Sequence, residues 1–122
     1  MHIVLVVEDD PDIRATFCEA LGDHGYTPVG ASNGAEALEY LRSDRAPPCL
    51  ILLDLMMPVM DGQTFRAEQL ADPELARIPC IVISAYRDVE RYAIEMAADC
   101  LPKPVRLDVL LATARRHCDA AA

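Results

Sequence analysis

The sequence predicts an α/β sandwich with one sheet of five parallel strands, ordered 2-1-3-4-5, and helices on both faces. Three observations predict it. Strand-like and helix-like segments alternate strictly, five times over, and such alternation builds parallel sheets with right-handed crossovers. The run Leu50-Ile51-Leu52-Leu53 is apolar without a break, as in a strand covered on both faces, and it is too short to cross a membrane. The chain has 122 residues, of which 52% are hydrophobic, enough for one domain with a substantial core.

Taken in order, His2 to Val7 reads as a buried strand. Glu8-Asp9-Asp10 comes next, and Pro11 after an acid is a helix start, with Asp10 as its cap. Ile13, Phe17 and Leu21 recur at four-residue spacing and predict the inner face of that helix, closed by Gly22 and Gly25. Tyr26 to Gly30 is a short second strand. Asn33 with Glu36 resembles a capping box, and Ala37, Leu38 and Leu41 supply the second helix's inner face. Ala46-Pro47-Pro48 feeds the Leu50 run, which Asp54 ends. Pro58 and Asp61-Gly62 turn the chain into a third helix containing Phe65, Gln69 and Leu70 and stopped near Pro73. Pro79 to Ile83 is a fourth strand ending in Ser84. Val89, Tyr92, Ala93 and Met96 have helical spacing, and Asp99-Cys100-Leu101 is a fifth strand. Lys103-Pro104 opens a last helix with Leu107, Leu110, Leu111 and Ala114 inward and Arg115 and Arg116 at the end favoured by its dipole. The expected architecture is a flavodoxin-like (βα)5 doubly wound fold, one domain over 1–122 with a frayed tail at 119–122.

Composition narrows the function. The net charge of −9 and pI near 4.6 oppose direct nucleic-acid binding. No apolar run is long enough for a membrane span, and no basic segment precedes the first strand, so neither an anchor nor a signal peptide is expected; the expected location is cytoplasmic. Cys18, Cys49, Cys80, Cys100 and Cys118 are widely spaced, without a CxxC pair. They are expected to be reduced and buried, not to hold metal. His2, His24 and His117 have no metal-binding spacing, and Met56, Met57 and Met60 are expected to pack and turn.

The predicted strand order makes the chemistry converge. Strands one and three are neighbours, so Glu8 and Asp9 meet Asp54 at the carboxyl edge of the sheet, where open α/β folds bind ligands. Three carboxylates there repel one another, and a hard divalent cation with few protein oxygens, Mg2+ in character, relieves them. Ser84 and Lys103 end the two remaining strands at the same rim. Acids, a hydroxyl and an ammonium on one edge suit phosphoryl transfer onto a carboxylate. Each alone has a blander reading: Asp54 as a turn residue, Ser84 as a helix cap, Lys103 as a solvated lysine.

The set Glu8-Asp9, Asp54 in DLMMPVMDG, Ser84-Ala85 and Lys103-Pro104, with NGAEAL at Asn33 to Leu38, resembles the receiver domain of bacterial two-component response regulators along essentially the whole chain. The resemblance implies that Asp54 is the phosphoacceptor, taking a phosphoryl group from the phosphohistidine of a sensor histidine kinase or a histidine phosphotransfer protein, or from a small phosphodonor. It implies a metal site of Glu8, Asp9, Asp54 and the Met56 backbone carbonyl, filled by Mg2+ with Mn2+ as a substitute, and phosphoryl contacts from Lys103 and Ser84. It also implies a cis bond before Pro104. The output would pass to a downstream protein or an attached output domain, or through a phosphorylation-dependent homodimer. Arg87, Arg91, Tyr92, Asp108 and Val109 are the expected output face. Such a domain phosphorylates itself and turns over no external substrate.

The chain departs from that pattern in places. Cys100 stands where receivers carry the aromatic ring of their switch, and Met96 where a small residue is expected. Tyr86 and Met56, two residues after Ser84 and Asp54, are candidate modulators of dephosphorylation that would hinder the attacking water; Tyr86 reads equally as a partner-contact residue. Cys100 keeps an alternative open: a receiver-fold interaction module whose output is independent of phosphorylation. Two other classes fit less well. An aspartate-nucleophile phosphatase commonly wants an acid where Met56 stands, and a flavin carrier wants a Gly- and hydroxyl-rich loop where Glu8 to Pro11 stands.

Overall fold

The computed structural model describes residues 2–55, 60–96 and 98–119, with residues 85, 86, 89, 92, 93 and 119 described by their backbone only. Strands β1 (Ile3–Val7), β2 (Thr27–Ala31), β3 (Leu50–Asp54), β4 (Cys80–Ala85) and β5 (Asp99–Lys103) alternate with helices α1 (Pro11–Asp23), α2 (Gly34–Leu41), α3 (Gly62–Ala71), α4 (Val89–Glu95) and α5 (Leu107–Ala114). All strand pairs are parallel and the order is β2-β1-β3-β4-β5. The expected fold is the observed one.

Alternation along each strand divides the core. Leu5, Val7, Ile51, Leu53 and Val82 face α2, α3 and the end of α4, where Ala37, Leu38, Phe65 and Met96 meet them. Their neighbours Val4, Val6, Leu50, Leu52, Ile81 and Ile83 face α1 and α5, against Phe17, Leu21, Leu110 and Ala114. Both sets are apolar because a parallel sheet covered on two faces has no solvent side.

Local signals at the helix starts act as expected. Asp10 caps α1, its Oδ1 accepting from Asp12 N at 2.9 Å and Ile13 N at 3.2 Å. Asn33 Oδ1 accepts from Glu36 N at 2.9 Å, while Glu36 reaches Ser32 N at 2.8 Å, one residue before the cap. Asp61 caps α3 through Thr64 N at 2.8 Å. Gly25 turns the chain after α1 with φ 91°, a backbone state that favours glycine.

Several expectations change. The second strand is Thr27–Ala31, one residue later than expected, and the fifth runs on to Lys103. Ile13 is 40% exposed and Leu107 41%, because both lie in first turns that overhang the carboxyl rim and not the sheet. Leu70 is exposed, while Gln69 beside it is wholly buried and bridges α3 to the following loop, donating to Leu75 O at 2.9 Å and Ile78 O at 3.0 Å. The cysteines are not all reduced: Cys49, just before β3, is bonded to Cys118 beyond α5. Wide spacing reads most simply as isolated thiols, but the fold brings positions 69 residues apart to a Cα separation of 5.3 Å. The expected frayed tail lies outside the described residues except for Asp119, whose backbone closes a π-helical turn, Arg115–Asp119.

Candidate functional site

The site stands at the carboxyl edge of the sheet, where four strands end together. Val7 pairs with Leu53, so Glu8 and Asp54 come next, side by side. Asp54 pairs with Ile83, and Ser84 and Ala85 pair with Pro102 and Lys103. Register alone therefore delivers Glu8, Asp9, Asp54, Ser84 and Lys103 to one rim.

Carboxylate oxygens of Glu8, Asp9 and Asp54 lie within 4.8 Å of one another, with Glu8 and Asp54 buried and Asp9 exposed. Burial, then hydrogen bonds to Asp54 and Asp9 and the Asp54 charge, push Glu8 up to about 8. Glu8 thus holds a proton at neutral pH and donates it within the cluster; the proton relieves the crowding that a divalent cation would relieve. Lys103 Nζ donates to Asp54 Oδ1 at 2.8 Å. Burial pulls the Lys103 ammonium down, but the hydrogen bond and charge of Asp54, with the Glu8 and Asp9 charges, outweigh it and raise the pKa. The Lys103-Pro104 bond is cis, as the resemblance implied.

Ser84 is buried inside β4. Its Oγ lies 3.6 Å from Cys100 Sγ on β5, within reach of a weak thiol hydrogen bond. Ala85, not Ser84, precedes the next helical turn, Tyr86–Asp88, so the cap reading of Ser84 fails. Burial pushes the Cys100 thiol up, the Ser84 contact opposing it and Asp99 adding to it.

Two site residues escape sequence reading. Arg14 donates from Nη1 to the Glu8 carbonyl at 2.8 Å and ties α1 to the β1 turn; a lone helical arginine carries no signal of this. Gly62 reads in the sequence only as a turn residue. A Cβ there would stand 2.8 Å from Leu55 Cα and 3.1 Å from Asp54 O, so its missing side chain lets α3 close onto the strand end that presents Asp54. Met56, the expected carbonyl ligand and modulator, lies outside the described residues, as do the Tyr86 and Tyr92 side chains. Of the remaining expected output face, Arg87 and Asp108 are outward, Arg91 pairs with Asp88 at 3.7 Å, and Val109 is 40% exposed.

The three carboxylates suit a hard divalent cation: oxygen donors only, two of them buried, with one displaceable proton among them. A cleft of about 500 Å3 opens beside Glu8 and Lys103, walled also by Asp12, Ile13, Phe17 and Pro104.

The profile of the response regulator receiver domain matches residues 4–115. Response regulator MprA of Mycobacterium ulcerans is 38% identical over 116 residues, which cover 92% of this chain and 48% of that protein. Sensor histidine kinase TmoS of Ectopseudomonas mendocina is 41% identical over 104 residues, 83% of this chain and 10% of that protein. The chain thus spans about half of one curated relative and about a tenth of the other. The signal receiver domain of a Syntrophus aciditrophicus histidine kinase superposes with a TM-score of 0.86 at 32% identity, covering 98% of this chain and 92% of that one.

Proposed function

This chain belongs to the response regulator receiver domain family, and on that premise we propose that it is switched by phosphorylation of Asp54. The observation that carries the reading is the buried Asp54 carboxylate, held by Lys103 Nζ at 2.8 Å with the oxygens of Glu8 and Asp9 within 4.8 Å.

In the proposed step an Asp54 carboxylate oxygen attacks phosphorus and forms a P–O bond. The P–N bond of the phosphohistidine breaks, and the imidazole leaves with the electron pair. Burial removes water from the nucleophile, and β3 fixes its direction. The Lys103 ammonium moves from the Asp54 oxygen to a phosphoryl oxygen, a charge-assisted contact, and Ser84 exchanges Cys100 for another phosphoryl oxygen. Glu8 and Asp9 with Asp54 would hold Mg2+ or Mn2+, which supplies positive charge to the phosphoryl oxygens when bound.

The domain signals and does not turn over a substrate. A sensor histidine kinase or a histidine phosphotransfer protein would donate the phosphoryl group. A downstream protein, an attached output domain or a second phosphorylated copy would read it at α4, β5 and α5. Nucleic acid and membrane are not proposed partners, and the setting proposed is cytoplasmic. If Tyr86 and Met56 shield the phosphoaspartate, Tyr86→Ala and Met56→Asn speed its loss; unchanged decay rates refute that role.

The deciding experiment is intact mass after incubation with Mg2+ and a small acyl phosphate, for the wild type and Asp54→Asn. One phosphate adduct, absent in the variant, supports the reading. No adduct with bound Mg2+ favours the second one, an interaction module independent of phosphate, which the thiol at Cys100 motivates: it has no ring to turn inward when Ser84 moves.

A further inference from the structure

We propose that Cys49 and Cys118 form a reversible redox site, oxidised by low-molecular-weight disulfides of the glutathione class, whose closure fastens the C-terminal turn to the entry of β3. The fold brings them together. Strand β3 starts beside Cys49 at the amino edge of the sheet, and α5 runs antiparallel to the strands, so its continuation returns Cys118 to that edge. The pair therefore sits at the opposite end of β3 from Asp54. It joins residues 69 apart in sequence with Cα atoms 5.3 Å apart.

The two residues are unequally buried. Cys49 is half-buried, while Cys118 is wholly buried with Leu21, Leu50, Leu110 and Ala114. An exchange partner thus reaches Cys49. Its thiolate attacks one sulfur of the small disulfide, giving a mixed disulfide and releasing one small thiolate. The Cys118 thiolate then attacks the Cys49 sulfur, closing the protein bond and expelling the second small thiolate. Two electrons pass from two protein thiols to one small disulfide, and their two protons go to the two small thiols released. The remaining cysteines, Cys18, Cys80 and Cys100, stand as free thiols outside the bond.

Among the described residues, the bond is the covalent tie between the last turn and the entry of β3. Arg115–Asp119 is π-helical, an uncommon backbone arrangement found mostly as single turns. Its ion pair, Arg116 to Asp99 at 4.0 Å between exposed side chains, contributes little. When the bond opens, burial of the Cys118 side chain and this weak ion pair remain, among the described residues, to hold the turn against the sheet.

The test is a titration of the full chain across graded ratios of reduced to oxidised glutathione. Each sample is acid-quenched, unfolded and alkylated with iodoacetamide for intact mass and peptide mapping, with amide exchange measured in parallel. The expected result is that alkylated cysteines fall from the five in the sequence to the three outside the bond in one step. The linked peptides carry Cys49 and Cys118, exchange at residues 115–119 slows by about tenfold or more on oxidation, and the thermal midpoint rises by roughly 10 °C. Cys49→Ser removes the step and the midpoint shift. Five alkylated cysteines at every ratio overturn the proposal, as does a link through Cys18, Cys80 or Cys100, or exchange at 115–119 that ignores the redox state. The wild-type titration decides even if Cys49→Ser does not fold.

Discussion

Lys103 reaches from the end of β5 to Asp54 at the end of β3, with β4 between them, and places its ammonium 2.8 Å from Oδ1. A strand's width is bridged by one flexible lysine because both residues end their strands at the same rim. The contact holds a half-exposed cation on a buried carboxylate, the place where charge must be stabilised if a phosphoryl group is added. Lys103→Gln removes the charge on a side chain one atom shorter, and is expected to slow phosphate uptake from a small acyl phosphate by about 100-fold. Intact-mass time courses check this. Lys103→Arg is expected to rescue it poorly, since a planar fork does not replace a compact ammonium.

Glu8 predicts a pH signature. Its acid is raised from 4.5 to about 8, chiefly by burial, so the folded chain binds this proton more tightly than the unfolded one. The stability this gives is complete below about 4.5 and is lost as pH rises through about 8. The thermal midpoint of wild type relative to Glu8→Gln should therefore fall across that window. Mg2+ should stabilise wild type more toward the alkaline end, because binding there displaces less proton. A wild-type minus Glu8→Gln difference that is flat with pH would refute the assignment.

Gly62 is tight for a steric reason. A methyl group there would meet Leu55 Cα and Cδ2, each at 2.8 Å, and the first of these is backbone that cannot swing away. Gly62→Ala is expected to cost about 1–3 kcal/mol in urea unfolding and to slow phosphorylation as well, since the strand end carrying Asp54 must shift. Gly22→Ala is the control: nothing lies within 4 Å of its added Cβ, so phosphorylation there should be unchanged.

Phe65 is wholly buried between α3 and the sheet. Phe65→Ala is expected to cost about 3–5 kcal/mol, read from the urea midpoint at unchanged slope.

Cys100 separates chemistry from readout. Its sulfur touches Ser84 Oγ at 3.6 Å, while the Asp54 carboxylate is held by Lys103. Cys100→Ala is expected to leave the rate of phosphate uptake unchanged and to alter only the conformational response to it, seen as a changed pattern of amide exchange in β4 and β5 on phosphorylation. A slowed uptake would place Cys100 in the acceptor chemistry itself.

Periodicity and punctuation in the sequence determined the five βα units, the unbroken apolar strands and the caps Asp10 and Asn33, and the strand order followed as the common arrangement of five such units. The order in turn determined that Glu8, Asp9, Asp54, Ser84 and Lys103 share an edge. These are consequences of local backbone preference and of burying two sheet faces, which residues near in sequence encode. Tertiary structure alone decided the rest. Ile13 has the spacing of a core residue but overhangs the rim, because helix position along the sheet is a matter of packing. The need for glycine at 62 comes from Leu55 lying beneath it. The Arg14 contact with the Glu8 carbonyl depends on how α1 leans on β1. The Cys49–Cys118 bond depends on α5 returning to the amino edge, since a pairing across 69 residues leaves no local pattern and exists only once the helices are docked.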